Sequence, residues 1–189
     1  PLLMSADQRS GAVALYFARP TGPVTYALAR LGSLLAATLV FVWTPMIVLY
    51  AGALLGELGV VEQTKQLLLT MGVSGLLALA VTGVAGAISA FSTRRGFAVL
   101  AIIGVLLLLD GAVAIVADLA TSSGNPTAAE AVGLLSPYSA YRGAAAGLGA
   151  LAPSSGNWLL HVANFATLIA FGAAGTAATV WRMRKVAGR

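Results

Sequence analysis

The chain has 189 residues, of which 59% are hydrophobic and 9% are charged, whereas a soluble domain usually carries about a quarter charged residues. This composition excludes an ordinary soluble protein and indicates a membrane-embedded one. The formal charge of +5 comes from basic residues at the ends of apolar runs, which is a membrane pattern and excludes nucleic acid as a partner.

Residues 1–24 precede the first long apolar run and are predicted to be a cytoplasmic segment. Within them, residues 10–18 fit a short amphipathic helix on the membrane surface. Its apolar face, at spacing i, i+3, i+4, is formed by Val13, Tyr16 and Phe17. Arg19 follows at the C-terminal end, where a cation suits the helix dipole, and Pro20 ends the helix. The pattern leaves two roles open, a passive anchor or a lever.

Four apolar segments are long enough to cross a hydrocarbon core of about 30 Å at 1.5 Å per residue. They cover about residues 25–56, 66–91, 97–117 and 158–181. Pro45 inside the first span predicts a bend, which is either a static kink or a hinge. Small residues spaced four apart predict a close-packing ridge on the last span: Ala166, Ala170, Ala174 and Ala178.

The charges between these spans alternate in sign. Basic residues precede the first span, occupy the turn at 92–96 and follow the last span. Loop 56–66 carries Glu57 and Glu62 with Lys65, and loop 118–157 carries Asp118 and Glu130. The positive-inside rule therefore places the C-terminus in the cytoplasm and both acidic loops outside. The prediction is a multi-pass protein of the plasma (inner) membrane, in contact with membrane lipid.

The outer loop 118–157 is too long to lack structure of its own. Two short helices fit it: Pro126–Leu135, with Asn125 as N-cap, and about residues 137–151. For the second, Ser136 is a good N-cap and Pro137 suits the first helical position.

Asp110 is the one carboxylate inside a predicted span, and such residues are costly enough to indicate function. Asn164 lies at a similar depth on the last span, and His161 lies about one turn nearer the surface. If the third and last spans are neighbours, we expect Asp110 to hydrogen-bond Asn164 or His161. The group is either a structural clasp between helices or part of a proton or substrate pathway.

The sequence contains no arrangement typical of an enzyme. H-E-x-x-H, G-x-S-x-G and the phosphate-binding G-x-x-x-x-G-K-[ST] are absent from the chain, and so is cysteine. One histidine and six scattered acids do not suggest a metal site. We therefore expect no catalytic residue and no cofactor in this chain, and any ATP would be bound by another polypeptide.

Two segments carry a family resemblance. "GAVALYFARPTGPVTYALARLGSLLAA" resembles the membrane subunits of type-2 ABC exporters, the bacterial drug and lipid efflux permeases, in which an "LYFARP"-like segment precedes the third of six spans. Tyr26 and Arg30 stand at the family's tyrosine and basic positions. "LLSPYSAYRG" is similar to the family's segment before the last span, with Ser136 replacing the usual Asn. The resemblance runs from about Gly11 to Arg184.

The resemblance implies an all-α permease subunit of six spans, of which this chain would hold the last four. It implies a coupling helix that contacts a partner ATPase through Leu15, Tyr16, Phe17, Arg19 and Pro20. It also implies two ABC ATPase subunits that bind ATP and Mg, and a second permease subunit, identical or homologous. The expected function is export of an amphipathic or lipid-like substrate or drug. Two alternatives stay open: a non-transporting membrane scaffold, and a proton-coupled carrier that uses Asp110.

Overall fold

A computed structural model describes residues 22–55, 59–92, 94–149 and 157–187. These residues form helices and short connections, with no strand among them. The helices are α1 (Pro23–Leu55), α2 (Val60–Phe91), α3 (Arg95–Ser122), α4 (Pro126–Gly133), α5 (Pro137–Gly147) and α6 (Trp158–Ala187). Four of them, α1, α2, α3 and α6, are long and apolar enough to cross a membrane. The predicted all-helical fold with four candidate spans is confirmed.

Two long helices extend beyond their predicted ends. α2 begins at Val60 rather than near residue 66, because the polar residues of its first two turns are accommodated on the helix surface. There the Tyr50 hydroxyl and Thr64 Oγ1 form a hydrogen bond of 2.7 Å between α1 and α2. α3 continues to Ser122, so Asp118 lies on a helix rather than in a loop. A helix can thus continue beyond the hydrocarbon core and carry its charged residues in the aqueous part.

The centre of the bundle is the crossing of α2 and α6, which form the largest interface of the described helices. The two backbones touch at glycines: a Cβ added to Gly83 would lie 2.8 Å from the carbonyl oxygen of Gly172. A Cβ on Gly175 would collide with the backbone carbonyl group of Gly83. Only residues without a side chain permit so close an approach.

The predicted ridge on the last span was wrong in its phase around the helix. Ala166, Ala170 and Ala174 are exposed and Ala178 is only half-buried. The buried stripe of α6 lies on another face: Asn164, Leu168, Gly172, Gly175, Thr179 and Met183. In an Ala-rich helix nearly every face offers small residues, so the glycines decide which face approaches the neighbour.

α1 and α3 flank this central pair and expose most of their apolar surface. α1 is joined to α2 by a hydrogen bond of 3.3 Å from Trp43 Nε1 to Ser74 Oγ. Its other face is open, and Phe41, for example, is 82% exposed. The helix runs without interruption through Pro45, so the hinge at that residue stays a prediction.

The charges of the described residues separate along the bundle. One end, which we call the basic end, carries Arg30, Arg94, Arg182, Arg184 and Lys185. Aromatic rings pack beneath three of these cations: Arg30 lies over Tyr26 at 5.4 Å, Arg182 over Phe91 at 5.6 Å and Lys185 over Trp181 at 5.3 Å. The opposite end, the acidic end, carries Glu62, Asp118 and Glu130 together with α4 and α5, and it also holds two cations, Lys65 and Arg142.

Candidate functional site

The two short helices at the acidic end begin where the sequence predicts. The Asn125 side chain accepts a hydrogen bond of 3.2 Å from the Ala128 backbone N–H, and Pro126 follows at the first position of α4. Ser136 Oγ accepts one of 3.4 Å from the Ser139 backbone N–H, with Pro137 at the first position of α5. Both predicted N-caps are confirmed, and both helices end a few residues earlier than predicted.

α5 packs inside the bundle. Its buried alanines, Ala140, Ala144 and Ala145, form one apolar cluster with Val73 of α2 and Leu168 of α6. Leu168 is ten residues into α6, so α5 packs roughly 15 Å along that helix. Tyr141 packs against the same cluster, and burial raises the pKa of its hydroxyl, with a further contribution from Tyr138.

Asp110 of α3 is held by the first turn of α5. Its Oδ1 accepts hydrogen bonds from Ser136 Oγ at 3.0 Å and from Ser139 Oγ at 3.2 Å. The predicted bond to Asn164 or His161 is not formed, because α5 lies between α3 and α6 and these two make little or no direct contact. Ser136 therefore caps α5 and fixes a carboxylate of a neighbouring span with the same oxygen.

His161 and Asn164 of α6 instead face two glycines of α5. His161 Nδ1 lies 3.2 Å from the carbonyl oxygen of Gly143. A Cβ on Gly147 would lie 2.6 Å from the same ring nitrogen, and a Cβ on Gly143 would lie 2.7 Å from Asn164 Cγ. The two glycines, one turn apart, thus leave the space that these two polar side chains occupy.

The helices α3, α4, α5 and α6 line a half-open cavity of about 680 Å³ at the acidic end, which we call the outer cavity. Its lining is divided evenly between apolar residues or glycines and polar or charged residues. The polar and charged side chains that line it include Asp110, Asp118, Glu130, Arg142, His161 and Asn164. All three intramembrane polar residues predicted from the sequence therefore meet at one cavity, although they do not bond one another directly.

Asn164 is the most deeply buried polar group of the outer cavity. It is 5% exposed, and none of the described residues hydrogen-bonds its side-chain amide. Its amide atoms are not among the fully enclosed polar atoms that lack a partner, and the residue lines the outer cavity, so a molecule that enters the cavity could hydrogen-bond this amide.

The sequence pointed to the polar residues of the long helices and missed their contacts on α5. Ser139, Gly143 and Gly147 were not singled out. A local signal was present, since a serine three residues after an N-cap and two glycines four apart put hydroxyls and gaps on definite faces of the helix. The orientation of those faces depends on how α5 enters the bundle.

The predicted ATPase-coupling residues lie outside the described residues: Leu15, Tyr16, Phe17, Arg19 and Pro20. Among the residues that are described, no group of three or more His, Cys, Asp or Glu side chains is placed to hold a metal ion.

The fold and the cavity define a class: an all-helical membrane protein with a polar cavity set among apolar helices. Comparison with protein-family models, with curated proteins and with solved structures finds no match to this chain.

Proposed function

We propose that the chain is the membrane-spanning permease part of an ATP-driven ABC exporter that moves an amphipathic or lipid-like substrate or drug outward. In this proposal the chain is not itself an enzyme. Two separate ATPase subunits bind ATP and Mg, and their closure pushes on the Leu15–Pro20 segment. A second permease subunit completes the pathway.

The proposal rests chiefly on one observation, the α4–α5 pair between the third and fourth long helices. A short helical pair at this place is what the resemblance implies, and α5 begins at the Ser136 of the second resembling segment. The pair packs into the bundle and lines a cavity, which suits a pathway better than it suits a surface anchor.

The separation of charge supports the same orientation. The basic end carries five described cations, and under the positive-inside rule it faces the cytoplasm, where an ATPase would bind. The outer cavity then lies on the extracytoplasmic side, where an exporter releases its cargo. Its lining combines apolar residues with polar and charged ones, which fits an amphipathic molecule.

Copurification tests the partner directly. The tagged chain, expressed at its natural level and extracted in mild detergent, should bring down a nucleotide-binding subunit. Recovery of the chain with no ATPase would favour a non-transporting scaffold.

The coupling role is tested by Arg19→Ala. Because Arg19 is the proposed charge partner of an acidic rim on the ATPase, its loss should uncouple ATP hydrolysis from transport while the protein still folds. Arg9→Ala, a cation of the same segment outside the coupling residues, is the matched control. If the Arg19→Ala variant transports as well as the wild type, the proposed coupling role of this segment is contradicted.

A further inference from the structure

We propose that the outer cavity is a binding site for an amphipathic primary ammonium compound, whose ammonium group is held by Asp110. The ligand is either an ammonium-bearing lipid headgroup or a soluble amphipathic amine. That it is the exported cargo rests on the proposed function, whereas binding itself does not require an ATPase.

The charge of the cavity selects a cation. Three carboxylates line it, from Asp110, Asp118 and Glu130, against one guanidinium from Arg142 and one imidazole from His161. Because apolar helices lower the local dielectric, a carboxylate there attracts a cation more strongly than at a water-exposed surface. The excess of carboxylates disfavours an anionic ligand.

The deep end of the cavity offers acceptors fixed in place. The two serine hydroxyls hold Oδ1 of Asp110, while its Oδ2 accepts no hydrogen bond from the described part of the chain. The buried amide of Asn164 contributes a second acceptor without a described partner. A primary ammonium has three N–H donors, so it can donate to Asp110 Oδ2 and still has donors for a further acceptor of the cavity.

The walls select an organic ligand. Small apolar residues such as Val113, Ala114 and Ala117 cover one side, and a cavity of about 680 Å³ falls within the usual range for small-molecule sites. A bare metal ion fits less well, since the described residues contain no group of three metal-ligating side chains. The site therefore fits an ammonium group attached to an apolar body.

The test measures binding of phenethylammonium to the full chain in an uncharged detergent by calorimetry, with the neutral isostere 2-phenylethanol as the comparison ligand. We expect the ammonium to bind measurably tighter than the alcohol. Asp110→Asn should weaken ammonium binding at least about tenfold and leave the alcohol unaffected. Glu62→Gln, which removes a carboxylate of the acidic end that does not line the cavity, should change neither.

Two further variants guard against loss of folding. Ala114→Phe fills the cavity from α3 and keeps the carboxylate, and it should abolish binding while helix content and thermal unfolding stay near wild type. Asn164→Leu should weaken binding without removing a charge. Equal binding of ammonium and alcohol, or unchanged affinity in folded Asp110→Asn and Ala114→Phe, would overturn the proposal.

Lipid discs of phosphatidylcholine, with and without phosphatidylethanolamine, distinguish the two sources of the ammonium. Competition by phosphatidylethanolamine, with the lipid retained by wild type and lost from Asp110→Asn in native mass spectrometry, identifies the headgroup. Ammonium binding without such competition identifies a soluble amine. Because neither arm contains ATPase, a failed copurification and a failed binding measurement refute different statements.

Discussion

Ser136 carries two duties with one hydroxyl oxygen. It accepts the Ser139 backbone N–H at the start of α5 and donates to Asp110 Oδ1 of α3. The sequence was sufficient to predict the first duty, because capping depends on local order. It was insufficient for the second, because the partner is 26 residues away and faces the serine only after α5 has packed.

Serine-to-alanine substitutions separate these two duties. Ser139→Ala removes only a hydrogen bond to Asp110, whereas Ser136→Ala removes such a bond and the cap. We therefore expect Ser136→Ala to lower the free energy of unfolding by about 1 kcal/mol more than Ser139→Ala does, the usual worth of an N-cap. Denaturation in detergent micelles measures both, and equal losses would contradict the double role.

Gly143 makes room for Asn164. In Gly143→Ala the new methyl would overlap the Asn164 amide, so we expect a loss of about 1–3 kcal/mol of stability. Adding Asn164→Ala should restore much of that loss by vacating the space. The control is Gly111→Ala on α3, where nothing lies within 4 Å of the new Cβ and the better helix propensity of alanine is expected to be neutral or stabilising.

At the scale of elements, the presence and the order of the helices could be predicted from the hydrophobic runs. The rotation of each helix about its own axis could not. The alanine ridge was assigned to α6 from spacing alone, but spacing four apart recurs on several faces of this helix. Gly172 and Gly175 set the rotation, because the backbone of α2 approaches there. The prediction that Asp110 bonds Asn164 or His161 was wrong for a related reason. The order of the spans along the chain does not show that α5 lies between α3 and α6.

Among the helix–helix contacts, the crossing of α2 and α6 should be the one that tolerates substitution least. In Gly175→Ala the methyl would meet the backbone of Gly83, which cannot rotate away as a side chain can. We expect a stability loss of about 1–3 kcal/mol, visible as a lower thermal unfolding midpoint in detergent. Gly104→Ala on α3, with open space around its Cβ, should leave the midpoint unchanged or slightly raised. A midpoint unmoved by Gly175→Ala would contradict the close approach.

At the scale of the whole molecule, orientation remains a prediction from charge, and the lack of native cysteine makes it simple to test. Ser123→Cys at the acidic end should react with a membrane-impermeant maleimide in intact cells. Arg184→Cys at the basic end should react only after permeabilisation. Ala170→Cys, on the exposed face midway along α6, should stay unlabelled in both conditions.

The reverse labelling would invert the orientation, and labelling of both end positions from outside would contradict a charge-determined topology. Composition predicted the class of the molecule well, because a chain with so few charged residues cannot form a water-soluble surface. The outer cavity could not be predicted in the same way, since its lining comes from four helices whose mutual rotation is set by packing.

The glycine crossing also limits how the bundle can rearrange. Sliding α6 along α2 by one helical turn would bring a side chain against the carbonyl groups of Gly83 and Gly172, which face the opposite helix at the crossing. Translation is therefore blocked by volume, while rocking about the crossing keeps both glycines in register. If this protein works through a change of shape, α2 and α6 act as a pivot, and the two ends of the bundle open and close in opposite senses.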